Sequence, residues 1–506
     1  MGRKEGRNYT RKSLAERPLA CAARTGPAAA AHAPHRPARF IWRYHARFTG
    51  PRTACHARSS IGPDAASDIE SNMDVIVIGG GIAGIATAYQ LRAAGHRVCV
   101  VERHATVAQG ATYGQGGVLL PTPLDVWFGP TFMRERRAQK SGVVYKPGLN
   151  GALRRFTRRL DALREPAAFA AQYAQLRPLV ELSREAIADV EARFNLEFEQ
   201  KSGVLHVVRD AAEWDATQPA LDLMRDLGQP YETLTPDACA ALEPSMPVDP
   251  AFAGGVLLAQ ERTANCPLFA KLVKQVLDEH DVQFRLGRAV AAIRTDARRA
   301  AVELAPDAAD PRAAKSKEVD VISADAVVVA AGTESLALVA PLGVRAPLHP
   351  VRIHTLTAPL AYEEHAPHLS IVDSAKRIAI TRLGQRLRIG GGAVLQSAKD
   401  LARPLPEPLS EAALALLGQA THDWLPGTAK ISAARAWQGA KLLSPDGLPV
   451  VGPTADPRVF VNFGHGPAGW GLAFGSAKVV ADDLGGGAQR VPADTLAALR
   501  AERFAT

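Results

Sequence analysis

The chain has 506 residues, 47% hydrophobic and 22% charged, a composition that buries an ample core and excludes a disordered or low-complexity body. The formal net charge is +9, but residues 1–72 carry 13 Lys and Arg against 5 Asp and Glu. The remainder is therefore close to neutral and offers no basic stripe to nucleic acid. Five cysteines, with no CxxC pair and no Cys/His cluster, argue against a zinc module or a disulfide framework, and no run of about 18 apolar residues is present to span a bilayer.

Residues 1–72 are rich in Ala, Arg, Pro and His and lack apolar periodicity, so they are predicted to be disordered. They also lack the continuous apolar core of a secretory signal. Met73 stands directly before the first strand, and the leader therefore reads as an upstream extension; a transit peptide or a nucleic-acid-binding arm is the alternative. From Asp74 the pattern predicts strand 74–79, helix 82–94 and strand 97–102, one βαβ unit of a parallel sheet. Apolar residues then recur at three and four (Leu153, Phe156, Leu160, Leu163), placing helices over 151–195 and opening a second lobe. A strand at 202–209, helices at 211–227 and 263–279, and two strand-like runs about Gly287 follow. "DAVVVAAG" (325–332) is a buried strand closed by Gly332, while "PVRIHTLTAP" and "RIAITRLGQRLRIGGGA" are extended runs suited to an antiparallel sheet. A helix near 409–424 precedes a final strand, glycine loop and helix over 458–484.

This order predicts a two-lobed α/β fold: a Rossmann-like parallel-sheet lobe (73–150, 245–345 and 430–490) beside an α+β lobe with an antiparallel sheet (151–244 and 346–429), then a tail at 491–506.

Gly79, Gly81 and Gly84 have the G-x-G-x-x-G spacing between a strand and a helix. Such glycines permit a tight turn, close approach of a pyrophosphate, and close helix–strand packing, and the helix start (Ile82, Ala83) receives the negative charge. Glu102, 18 residues beyond Gly84 and followed by Arg103, stands where an acid bonds adenosine ribose hydroxyls, which argues against a 2′-phosphate. This predicts an adenine dinucleotide but leaves FAD and NAD unseparated. "GATYGQGGVLLP" (110–121) supplies small residues to border a planar ring, and "GHGPAGW" (464–470) sets a glycine loop at a helix start, which stabilises negative charge on a reduced flavin. Together with the Gly332 strand these stretches favour FAD.

On "VIVIGGGIAGIATAYQLRAAGHRVCVVER", "ATYGQGGVLLP", "ERTANCPLFA", "AITRLGQRLRIGGG", "WQGAKLLSPDGLPVVG" and "GHGPAGWGLAFGSAK", the chain from Met73 to about Gly486 resembles the D-amino-acid oxidase superfamily of FAD oxidoreductases, most closely the bacterial D-amino-acid dehydrogenases of small-subunit type. The resemblance implies hydride transfer from the α-carbon of a D-amino acid to flavin, release of a 2-oxo acid and ammonia, and passage of electrons to a quinone or another acceptor. It implies that Gly79, Gly81, Gly84 and Glu102 bind the ADP half, that Val290 meets the adenine, and that Gly116, Gly117, His465, Gly466 and Gly469 border the flavin; Trp470, next to Gly469, either packs near the ring or fills the core. No metal is implied.

Two departures lie on the substrate side. Lys441 stands where the related enzymes carry an arginine that clamps the substrate carboxylate; lysine supplies the charge without the planar fork. Ile353 and His354 replace the usual glycine and tyrosine. Arg382 and Arg352 are the other candidate carboxylate partners, each with a solvated surface charge as its alternative, and His354 is either a polar wall or proton relay or a structural histidine. Trp437 either packs near the ring or fills the core, and Cys266 reads as a small residue packed before a helix. The functional alternatives are a glycine- or sarcosine-type amine oxidase or dehydrogenase of the same superfamily and, from another class, a non-catalytic flavin- or nucleic-acid-binding protein. The expected location is the cytoplasm, with peripheral contact to the inner membrane face if a quinone is the acceptor.

Overall fold

The Val/Ile run Asp74–Ile78 forms the centre of a six-stranded sheet, flanked in parallel by Arg97–Glu102 and Ala326–Val329. Continuous apolar strands of this kind are buried on both faces, which is why they carry no alternation. Gln283–Leu286 extends the sheet at one edge and Val459–Phe463 at the other, both parallel, and Val450–Pro453 closes it antiparallel. The helix Ile82–Ala93 crosses between the first two strands and packs against the C-terminal helix Gly469–Gly485. The computed structural model describes residues 72–130, 143–145, 151–247, 252–305, 320–395 and 407–505. The expected disorder of the leader lies outside the described residues.

A three-stranded antiparallel sheet, Val290–Thr295, Ala300–Leu304 and Asp320–Ala324, lies beside this lobe. The second lobe is a nine-stranded mixed sheet. Its order is Arg435–Leu443, His349–Pro359, Arg386–Leu395, Ile378–Leu383, Ser370–Asp373, Lys201–Val208, Gly254–Thr263 and Glu232–Leu234, with Val143–Tyr145 pairing beside Arg386–Leu395. Helices Ala211–Asp226 and Glu407–Trp424 pack against it, and Pro166–Phe194 packs against Gly469–Gly485.

The two segments Gly254–Thr263 and Arg435–Leu443 fall inside ranges assigned from sequence to the nucleotide lobe, yet they pair into the nine-stranded sheet. Local pattern carries no record of which sheet a strand joins, because that is settled by hydrogen-bond partners far away in the chain. The helix read from residue 263 starts at Cys266, where Asn265 Oδ1 accepts from Leu268 N at 3.2 Å and Pro267 occupies the first turn. The C-terminal segment is docked by Arg500 to Asp483 (2.6 and 2.8 Å) and Arg503 to Asp446 (2.8 Å).

Candidate active site

A cavity of about 530 Å³ opens over the C-terminal ends of the parallel strands, where open α/β sheets hold their ligands. Gly79 and Gly81, with Ile82 and Ala83, form its floor. The N-cap residue of the helix Ile82–Ala93 is Gly81, which brings no side chain of its own to the helix start facing the cavity; Ile82 N donates to Thr112 Oγ1 at 2.9 Å. Gly84 does not line the cavity. A Cβ there would lie 1.8 Å from Gly79 O, so the residue serves the helix–strand approach. Glu102 is buried and accepts from Gly80 N (2.6 Å) and His104 N (2.8 Å), which binds the strand end to the glycine turn while the carboxylate borders the cavity. Arg103 pairs with Glu334 at 2.6 Å along the same wall, and Val290 and Gly332 line it from the neighbouring segments. Acid, helix start and close-approach glycines fit the ADP half of a dinucleotide.

At the other end the cavity is bounded by Trp437 to Leu442 and by the loop at His465, Gly466 and Gly469. His465 Nε2 lies 2.9 Å from Ser476 Oγ, which itself donates to Ala473 O at 3.1 Å. Burial pushes the imidazole down to about 4, leaving it neutral at pH 7. The loop 110–117 is held by the nine-stranded sheet. Thr355 Oγ1 donates to Gly114 O (3.2 Å), Thr381 Oγ1 to Gly116 O (2.8 Å), and Arg388 to Tyr113 O while stacking on the Tyr113 ring. Gly114 lies so close to Trp437 that a Cβ would sit 1.9 Å from the indole.

A second cavity of about 120 Å³ adjoins the first, and Gln115 and Lys441 line both. Lys441 Nζ donates to Gln115 Oε1 at 2.9 Å. Enclosed by protein except where it meets the cavities, its ammonium is pulled down to about 8 by burial. Gly116 and Ile353 also border the smaller space, which the sheet roofs.

Other residues expected at the site lie elsewhere. Arg382 follows Thr381 on Ile378–Leu383, and pleat alternation turns it to the opposite face, where it donates to Gly384 O (3.0 Å) and approaches Glu363 (3.7 Å). His354 alternates in the same way with Ile353: its Nδ1 faces Gly392 O at 2.7 Å, burial lowers its basicity, and it borders neither cavity. Arg352 shares that face and is buried. Trp470 is 1% exposed and packs against Phe198 and Phe269, because its helical position points into the core. Gly117 borders neither cavity and lies tight against Thr381. Cys266 is buried and its thiol is pushed up by desolvation, so it is not a thiolate. Thr112 and Gln115, which the sequence reading did not single out, sit inside a stretch valued there only for its small residues. Among the described residues no group of three or more His, Cys, Asp and Glu could hold a metal, and no helix is long and apolar enough to cross a membrane.

A family model described as FAD dependent oxidoreductase matches residues 74–483. The D-amino acid dehydrogenase of Cereibacter sphaeroides is 33% identical over 440 residues, covering 86% of this chain and 96% of that protein. That of Bradyrhizobium diazoefficiens is 30% identical over 439 residues, covering 86% and 99%. Among solved structures, glycine oxidase from Geobacillus kaustophilus superposes with a TM-score of 0.60 at 19% identity, covering 85% of this chain and 99% of that one. L-proline dehydrogenase from P. horikoshii gives 0.59 at 16% identity, covering 85% and 97%. At these identities the structural likeness is one of fold. With a matched body, a dinucleotide cleft at its switch point and an antiparallel roof over the second cavity, this chain belongs to the DAO family of FAD dependent oxidoreductases.

Proposed function

We propose that the protein oxidatively deaminates D-amino acids to 2-oxo acids and ammonia, its electrons leaving to a quinone or another acceptor. The observation that carries this reading is the shared wall of the two cavities, where Lys441 and Gln115 are bonded at 2.9 Å. FAD, held in the larger cavity, supplies a two-electron hydride acceptor. Lys441 meets the substrate carboxylate, and Gln115 fixes the ammonium in place from the loop side. Both residues lie on rigid supports, Lys441 on the strand Arg435–Leu443 and Gln115 on the loop pinned by Thr355, Thr381 and Arg388. The apolar lining around them excludes water, which strengthens the single ionic contact. The D-amino acid dehydrogenases that match the chain over most of their length support this substrate class. A quinone acceptor requires peripheral contact with a membrane, whereas a soluble acceptor does not.

The test is anaerobic bleaching of the bound flavin by a panel of D-amino acids, their L-enantiomers, glycine and sarcosine. Bleaching by D-amino acids is expected. Bleaching by sarcosine or glycine with none by any D-amino acid sinks the proposal in favour of an amine oxidase or dehydrogenase reaction.

A further inference from the structure

On the strand Arg386–Leu395 the pleat sends Leu387 and Ile389 into the apolar cluster behind the sheet and turns Arg388 toward the loop 110–117. Arg388 is 4% exposed, and its Nε has no hydrogen-bond partner. The guanidinium donates to Tyr113 O and stands 5.2 Å over the Tyr113 ring. Glu199 pairs with the neighbouring Arg386 instead, at 2.9 and 3.1 Å. Among the described residues no carboxylate forms an ion pair with Arg388 or with Lys441. The buried Cys266 thiol feels both cations but is un-ionised, so it offers no counter-charge.

Burial lowers the basicity of Arg388, yet a guanidinium stays charged at neutral pH, and burying a cation without an anion is unfavourable. This uncompensated charge lies one layer behind the cofactor cleft. Tyr113 belongs to the loop whose Gly110, Ala111, Thr112 and Gln115 line the larger cavity, and its ring packs at 5.9 Å against Trp437, which lines the cavity too. Arg388 holds the carbonyl end of the Tyr113–Gly114 peptide, and Thr355 and Thr381 hold the carbonyls of Gly114 and Gly116. A planar trans peptide points its N–H opposite to its C=O, so three peptide units turn their positive ends away from the sheet.

We propose that Arg388 is a positioning residue for the redox step: its uncompensated charge, with the peptides aligned on this sheet face, makes the loop side of the cleft electropositive. FAD is then held more tightly once it has accepted a hydride, and with it a negative charge, than before. The inference concerns the cofactor and holds whichever amine is oxidised.

The two-electron midpoint potential of the bound FAD, read by anaerobic equilibration with reference dyes, tests it in three variants of the holoenzyme. Arg388→Gln keeps a donor for Tyr113 O and loses only the charge, Arg388→Met loses both, and Arg388→Lys keeps both. The two neutral variants are expected to hold reduced FAD at least tenfold less tightly relative to oxidised FAD, a fall of about 30 mV for a two-electron couple, while Arg388→Lys stays within about threefold of wild type. A residue that merely anchors the loop predicts the wild-type potential in Arg388→Gln, and that result overturns the inference. An equal shift in Arg388→Lys and the neutral variants overturns it as well. Should the neutral variants fail to retain FAD, retention by Arg388→Lys supports the charge, and loss in all three variants overturns it in favour of a structural role.

Discussion

Lys441 is the residue on which the proposed substrate contact turns. An ammonium held near 8 is charged through neutral pH and loses its charge as pH rises past that value, so anion binding that depends on it is strong below pH 8 and weakens above. A carboxylate competitor without an amine isolates this effect from titration of the substrate. Propionate binding, read from the flavin difference spectrum, is expected to weaken about tenfold per pH unit above 8, since each unit removes that fraction of the charged form. Lys441→Met is expected to weaken binding by at least tenfold and to abolish the pH dependence, while Lys441→Arg extends the plateau upward because a guanidinium stays charged. Binding that stays constant from pH 7 to 9.5 in the wild type disproves the contact. The position of Lys441 was legible in the chain because "WQGAKLLSPDG" is a local motif, but its partner Gln115 was not, since nothing in "GATYGQGGVLLP" marks one polar side chain among the small ones.

Strands decide which face a side chain serves, and a shift of one residue reverses the answer. Arg382 and His354 were plausible from chemistry alone, one a cation and the other a titratable ring; the pleat places Thr381 and Ile353 toward the site and turns both candidates away. A strand buried on both faces lacks the apolar–polar alternation that would have revealed this from sequence. Arg382→Ala is therefore expected to leave the rate of flavin reduction within about twofold of wild type, since an arginine turned to the opposite face contributes little to a cavity it does not border. Thr381→Val, which keeps the volume but deletes the hydroxyl that holds Gly116 O, is expected to lose about 1 kcal/mol of stability and to slow reduction by loosening the loop. Thermal melts and stopped-flow traces on the pair decide it, and the reverse order of effects would return Arg382 to the site.

Across the molecule, the residues lining both cavities fall between Ile78 and Gly471, and the family match begins at residue 74. A chain beginning at Met73 is expected to bind FAD and to bleach with substrate at the rate of the full-length protein; loss of FAD on that truncation would show that the leader contributes to the fold. The sequence by itself determined the nucleotide half. Gly79, Gly81, Gly84 and Glu102 act over one strand, one turn and one helix, so their spacing along the chain is their spacing in space. Only the tertiary structure decided the substrate half. Gly254–Thr263 and Arg435–Leu443 leave their sequence neighbours to join the nine-stranded sheet, and Asp125, Ser374 and Lys441, drawn from three distant segments, line one cavity. Such contacts depend on strand partners chosen through long-range hydrogen bonding and packing, which no local pattern of residue types encodes.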